Sequence, residues 1–218
     1  MVTTENRDEY LETIYKLESL PSGATVNRIA AQLGVRPASV SQMLNRLTEA
    51  GMVTRARGNR GAVTLTEPGR SAAARVVRRH RLSERFLTDC LKLPWETVHD
   101  EACKFEHILS DEVEAGLTSL LGRPPSCPHG HPIPYEDGAA VERFARPLAE
   151  CEVGKTYTVS YLSDENADFL RYVTKRGLRP GARVYMRGRE PFEGPYLIET
   201  ETGPHALGKA AADRVFVE

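Results

Sequence analysis

"TVNRIAAQLGVRPASVSQMLNRLTEAGMVTRARGNRGAVTLTEPG", residues 25–69, is the stretch on which the fold turns. Val26, Ile29, Ala30 and Leu33 recur at the spacing of a helix, Thr25 stands at its N-cap, and Gly34 stops it. After "GVRP" a second set, Val40, Met43, Leu44 and Leu47, predicts a longer helix from Pro37 to Ala50. Apolar and polar residues then alternate on both sides of "GNRG", which predicts a hairpin. A further helix is predicted upstream, over 7–20, with Tyr10, Leu11, Ile14, Tyr15 and Leu17 at helical spacing. Helix, short helix, turn, helix and hairpin is the order of a winged helix-turn-helix.

The outer face of the third helix carries Ser39, Ser41, Gln42 and Arg46, small or polar groups that suit base edges in a major groove. Arg55, Arg57 and Arg60 gather charge on the wing, where phosphates would lie, and Arg28 and Arg36 complete the candidate DNA-binding set. The alternative is a small helical domain with a hairpin and no nucleic acid to bind.

The whole chain has 218 residues, is 40% hydrophobic, and has a formal net charge of −1. It is long enough for more than one small domain, and its charge argues against bulk coating of nucleic acid while allowing a local basic face. No apolar run is long enough for a bilayer, and "MVTTENRDEY" has neither a basic nor an apolar leader segment, so a cytoplasmic protein with no membrane partner is expected. Cys90, Cys103, Cys127 and Cys151 are scattered, with no C-x-x-C pair, so reduced thiols are expected.

Beyond the hairpin, a long helix is predicted from Glu67 to about Leu91, with His80 and Glu84 one turn apart on one face. Two shorter helices follow, beginning near Trp95 and Ser110. The first contains "VHDEACKFEH", residues 98–107, in which His99, Cys103, Glu106 and His107 share one stripe at about 100° per residue. With a rise of roughly 1.5 Å per residue, His99 and His107 lie about 12 Å apart along the axis, too far for one ion. Cys103, Glu106 and His107 fit one site, while His99 needs partners elsewhere, which His80 and Glu84 supply. Phe86, Leu87, Leu91, Phe105, Ile108 and Leu109 leave apolar surface for a partner subunit.

"GRPPSCPHGHPIPYEDG", residues 122–138, reads as a linker. Cys127, His129 and His131 alternate like a metal claw, but the prolines around them favour a rigid crossover. The tail offers short strands in "KTYTVSYL", "ARVYMRG", "PYLIET" and "DRVFVE", with a helix in "ENADFLRYVTKRG", the pattern of a small SH3-like barrel. Asp164, Glu165 and Asp168 are within conceivable reach of a metal, though they read more simply as the start of that helix. The expected fold class is therefore mainly α with β: a winged helix-turn-helix over 1–73, a helical metal-binding and dimerisation domain over 74–140, and an SH3-like β-barrel over 148–218.

The segments "YLETIYKLE", "VSQMLNRL", "RRHRLSERFLTD", "VHDEACKFEHILSDEVE" and "PHGHPIP" resemble, in order, the diphtheria-toxin repressor (DtxR/MntR) family of metal-activated transcription regulators. The tail resembles that family's FeoA-like third domain in position and strand pattern. The resemblance implies a repressor of metal-homeostasis genes whose homodimer binds palindromic operator DNA when loaded with Mn²⁺ or, alternatively, Fe²⁺, at two sites per subunit. By position it assigns Glu9, Cys103, Glu106 and His107 to the activating site, with Glu12 as a further carboxylate of the manganese-responsive branch. His80, Glu84 and His99 fall to an ancillary site, with Asp164 and Asp168 as the barrel's contributions. The chain mixes two patterns: the iron branch has methionine at position 9, and the manganese branch has glutamate at position 103. A carboxylate at position 9 tilts the expectation to Mn²⁺.

Two other readings compete. A metalloenzyme is disfavoured because no H-E-x-x-H and no nucleophile with its base is present, so no enzyme is expected. A metal buffer or iron-transport accessory protein fits the tail but leaves the winged helix without a task.

Overall fold

Tyr10, Leu11, Ile14 and Leu17 do what their spacing predicts: they turn one side of α1 (Thr4–Glu18) into a core with the helices that follow. The structure is a computed structural model that describes residues 4–18, 20, 22–56, 61–136, 144–163 and 166–218. The chain divides into two units, residues 1–79 with 134–141, and residues 80–133 with 142–218.

In the first unit α2 (Val26–Leu33) is capped by Thr25, whose hydroxyl accepts from the Arg28 amide at 3.4 Å, and ends at Gly34 with φ +64°. That left-handed value is one a glycine adopts without strain. In α3 (Pro37–Glu49), proline occupies the first turn, where no amide donor is missed. Its Val40, Met43, Leu44 and Leu47 are buried with Ile29 and Ala30 of α2. Truncating a side chain such as Leu44 in this core should cost about 2–5 kcal/mol.

The hairpin consists of β1 (Val53–Arg55) and β2 (Val63–Leu65), antiparallel with Val53 opposite Leu65. Glu18, at the end of α1, fixes its returning strand. One carboxylate oxygen accepts from the Leu65 amide at 2.8 Å and the other from the Arg70 guanidinium at 2.7 Å. Arg57 and Arg60 lie outside the described residues.

A single helix, α4 (Glu67–Asp89), contributes to both units. The second unit continues with α5 (Val98–Phe105) and α6 (Asp111–Leu120), the latter capped by Ser110 accepting from the Val113 amide at 3.3 Å. Residues 126–132 then close on themselves through a Ser126–Pro132 bridge and a Cys127 amide donating to the His131 carbonyl at 2.9 Å.

The tail forms an antiparallel sheet of β3 (Arg146–Pro147), β4 (Thr156–Leu162), β5 (Arg183–Arg189), β6 (Tyr196–Thr200), β7 (Gly203–Leu207) and β8 (Val215–Val217), in the order β3-β8-β4-β5-β6-β7. A 3₁₀ turn over Leu148–Glu150, α7 (Ala167–Thr174) and α8 (Lys209–Ala212) complete it. Val159, Leu162, Leu170, Val184, Met186 and Ile198 fill its core, which Trp95 joins from before α5. Strands β3 and β7 are absent from the sequence reading. Among the described residues no helix is long and apolar enough to cross a membrane.

Candidate metal centre

Helical periodicity brings donors together in pairs: His80 and Glu84 one turn apart on α4, and His99 and Cys103 one turn apart on α5. Within the second unit these pairs converge. The Nε2 atom of His80 stands 3.2 Å from Glu84 and 3.1 Å from Nδ1 of His99, and its Nδ1 hydrogen-bonds Glu106 just beyond α5. The Cys103 sulfur lies 3.9 Å from His80 and 3.8 Å from His99. His80, His99 and Cys103 thus form one group of donors suited to an ion.

A second group joins Glu84 to the closed turn. His129 is buried, with Nδ1 3.2 Å from Glu84 and 4.0 Å from the Cys127 sulfur. Its Nε2–H donates to the carbonyl of Trp95 at 2.8 Å, since a carbonyl can only accept. That hydrogen bond leaves Nδ1 as the nitrogen able to offer a lone pair toward Glu84 and Cys127. The Glu84 carboxylate is wholly buried, and its Oε2 has no hydrogen-bond partner. A buried carboxylate oxygen without a donor is costly, and a cation beside a thiol and an imidazole would satisfy it.

Electrostatics tell the same story. Burial works to raise the Glu84 carboxyl, but the facing His129 and His80 hold it well below the usual range. Burial works to lower His129, yet Glu84 and Cys127 lift it to about 11. His80 is likewise held well above its ordinary value, burial being overcome by Glu84, Cys103 and Glu106. The Cys103 thiol, against the effect of burial, is drawn down by His80 and His99, whereas burial and Glu84 push Cys127 up. Protons on the imidazoles therefore balance the buried carboxylate, and a divalent cation can take their place.

The structure regroups the expected residues. His80 touches Glu106 as well as His99 and Glu84, so the two donor sets inferred from axial spacing meet at one imidazole. Glu106 caps α5 and His107 follows it, with its Nε2 3.4 Å from Glu106. Within the predicted linker, residues 126–132 make a tight turn, and this turn also delivers Cys127 and His129, which the prolines around them argue against as ligands; their i, i+2 spacing is the available signal. His131 instead rests its ring 5.0 Å from Tyr161. The Asp168 side chain is 92% exposed and pairs with Arg171 at 2.7 Å, one turn away on the same helix. Asp164 lies outside the described residues. Glu9 is exposed on α1, and Glu12 is buried there with Lys16 at 3.0 Å.

On the candidate DNA face Ser39, Gln42 and Arg46 are exposed and Ser41 is half-buried. Arg36 is exposed at the start of α3, and Arg55 reaches Asn45 of α3 at 2.9 Å, tying wing to helix. Arg28 donates from its guanidinium to the Gly23 carbonyl.

Three family models match in order: "Iron dependent repressor, N-terminal DNA binding domain" over residues 2–62, "Iron dependent repressor, metal binding and dimerisation domain" over 66–135, and "FeoA domain" over 146–218. The chain is 35% identical to the iron-dependent repressor IdeR of Mycobacterium tuberculosis, with 94% of this chain and 95% of that protein aligned. It is 41% identical to the diphtheria toxin repressor of Corynebacterium glutamicum over 83% of this chain and 82% of that one. Among solved structures, a manganese-dependent transcriptional repressor in complex with manganese superposes with a TM-score of 0.89 at 35% identity, covering 97% of this chain and 98% of that chain. A ScaR structure with bound Zn²⁺ gives 0.84 at 29% identity, covering 98% and 99%. With an N-terminal DNA-binding domain, helices bearing converged metal donors and a FeoA-like sheet, the chain belongs to the diphtheria-toxin repressor family of metal-dependent, DNA-binding transcriptional repressors.

Proposed function

We propose that this repressor responds to Mn²⁺, with Fe²⁺ as the alternative, through two sites per subunit, and that its loaded homodimer binds palindromic operators of metal-homeostasis genes in the cytoplasm. The observation that supports the metal reading is the convergence of Glu84, Cys127 and His129 in the interior, with the second oxygen of the buried Glu84 carboxylate lacking a hydrogen-bond partner. These three residues would hold one ion. Cys103, with His80 and His99 in contact with it and Glu106 and His107 next to them, would serve the other, and the assignment of Glu9 and Glu12 to it rests on the family resemblance alone. Carboxylates favour Mn²⁺, and Cys103 draws toward softer ions. A bound ion supplies a fixed positive charge where the free protein keeps protons; the chain's own residues orient the donors and exclude water.

Anisotropy titration of upstream DNA with and without each metal tests the reading. Wild-type protein should bind only when metal is present. Glu106→Ala or His107→Ala should leave a folded dimer that no longer responds, and Glu9→Met should shift the response toward Fe²⁺ under anaerobic conditions. Metal-dependent binding at wild-type concentrations by both of the first two variants would overturn the site assignment.

A further inference from the structure

The turn that carries Cys127 and His129 is held from two directions. It is closed internally by the Gly130 amide donating to the Cys127 carbonyl at 3.0 Å and by the Ser126–Pro132 bridge. It is also laid against β4: the Leu162 amide donates to the His129 carbonyl at 3.1 Å, and the His131 ring lies on Tyr161, which itself stacks on Phe216 at 4.5 Å. At Gly130 the approach becomes so close that an added Cβ would stand 2.2 Å from the Ser160 carbonyl oxygen and 2.8 Å from the Tyr161 Cα. Its φ is +90°, which a side chain also opposes.

The strand has little freedom to retreat. Ser160 is buried, Val159 and Leu162 on either side are core residues, and Val159, Tyr161 and Leu162 pair with β8, Ser160 sitting at the bulge between them. A methyl group at position 130 must therefore lift the turn by about 1 Å to restore ordinary contact, and the parts that move with it are the Cys127 and His129 donors. Metal–ligand distances tolerate only about 0.2 Å.

We propose that Gly130 is a positioning residue for the Glu84, Cys127 and His129 centre: its missing side chain lets β4 act as a backbone template that sets where the thiol and the imidazole stand. The inference rests on the metal reading of that centre. It gives the FeoA-like sheet a task, the alignment of donors carried by another segment.

Co²⁺ is the probe, read by the near-ultraviolet charge-transfer absorption of a thiolate bound to it. The full-length protein carries Cys103→Ser, so that Cys127 is the thiol left in the donor cluster. In this background Gly130→Ala should weaken the Co²⁺ titration by at least about tenfold, the low end for disturbed ligand support. Gly154→Ala is the control, because Gly154 has φ +84° but nothing within 4 Å of its added Cβ. It should titrate as the background does. Tyr161→Ala, which removes the ring under His131 but leaves the β4 backbone, should weaken binding in the same direction by less. An unchanged titration for Gly130→Ala, or equal weakening by Gly154→Ala, overturns the proposal. If Gly130→Ala does not fold by circular dichroism, an unchanged titration for Tyr161→Ala overturns it instead. Absence of any thiolate band in the background, or a band that Cys127→Ser leaves unaltered, defeats the metal reading itself and the proposal with it.

Discussion

Replacing Glu18 by alanine should loosen the wing at its root by an amount the contacts allow us to work out. The carboxylate accepts from the Leu65 amide at 2.8 Å and pairs with Arg70 at 2.7 Å. A hydrogen bond to a charged group contributes about 1.5–3 kcal/mol, and Leu65 is buried, so its amide has poor access to water once the acceptor is gone. The ion pair adds little, roughly 0.5 kcal/mol, because the Arg70 side chain is 40% exposed and solvent screens it. Glu18→Ala should therefore cost about 2–3 kcal/mol locally. Glu18→Gln keeps an acceptor for the amide and should cost about 0.5–1 kcal/mol. The gap of about 2 kcal/mol corresponds to roughly 30-fold faster hydrogen exchange at the Leu65 amide in the alanine variant. Exchange measured residue by residue on the full-length protein gives the ratio directly. Equal protection of Leu65 in the wild type, glutamine and alanine variants would refute the reasoning.

On the DNA face, Gln42→Ala should relax sequence preference at a cost of about 1–3 kcal/mol in binding to the preferred operator. Arg55→Ala should weaken all sequences alike and flatten the logarithmic salt dependence by about one unit; a sequence-selective loss from the arginine change and none from the glutamine change would reverse the proposed docking. Loading of the Glu84, Cys127 and His129 centre should release protons, since metal-free His129 keeps its proton up to about pH 11 and Cys127 is pushed up as well. Affinity should then rise with pH across the neutral range, with up to about two protons released per ion, and calorimetry in buffers of different ionisation enthalpy would count them; a count of zero contradicts the assignment. In the metal-free protein the signs are opposite for the two partners. Raised His129 contributes stability that is full below its ordinary value of 6.5 and is lost as pH climbs through about 11, while lowered Glu84 contributes stability that is lost as pH falls below the usual carboxylate range. Thermal melts of metal-free protein across pH should decline toward both extremes.

Local periodicity made most of the helices legible, because α1 to α4 each carry an apolar face that repeats over several turns. It failed where backbone geometry departs from that repeat. The stripe through His107 suggests an unbroken helix, yet α5 ends at Phe105 and the last two donors stand in its cap and the following turn. Strand β7 contains Gly203 and Pro204, which read as a turn; a sheet edge tolerates proline because the amide there has no neighbouring strand to meet. The donor pairs on α4 and α5 were visible because they lie one turn apart. The meaning of Cys127 and His129 was not, since it depends on Glu84, far away in sequence, and on a turn shaped by contact with β4. Asp168 shows the complementary limit: an acidic residue near a helix start has a local partner, Arg171, that spacing alone does not rank against a distant ion.

Trp95 is the chain's single tryptophan, and its placement has an optical consequence. Its carbonyl accepts from His129, its ring lies 5.5 Å from the imidazole, and the Arg179 guanidinium stands 5.0 Å from its centroid. An indole's excited state has a larger dipole than its ground state, so its emission colour and yield follow the charges around the ring. Exchange of a proton for a divalent ion on the far side of His129 changes that field at close range, while Arg179 supplies a constant background. The unlabelled protein thus contains one dominant emitter, seated beside one of its candidate donor groups. Its fluorescence should follow the filling of the Glu84, Cys127 and His129 centre in real time, with no second indole in the DNA-binding unit to blur the signal.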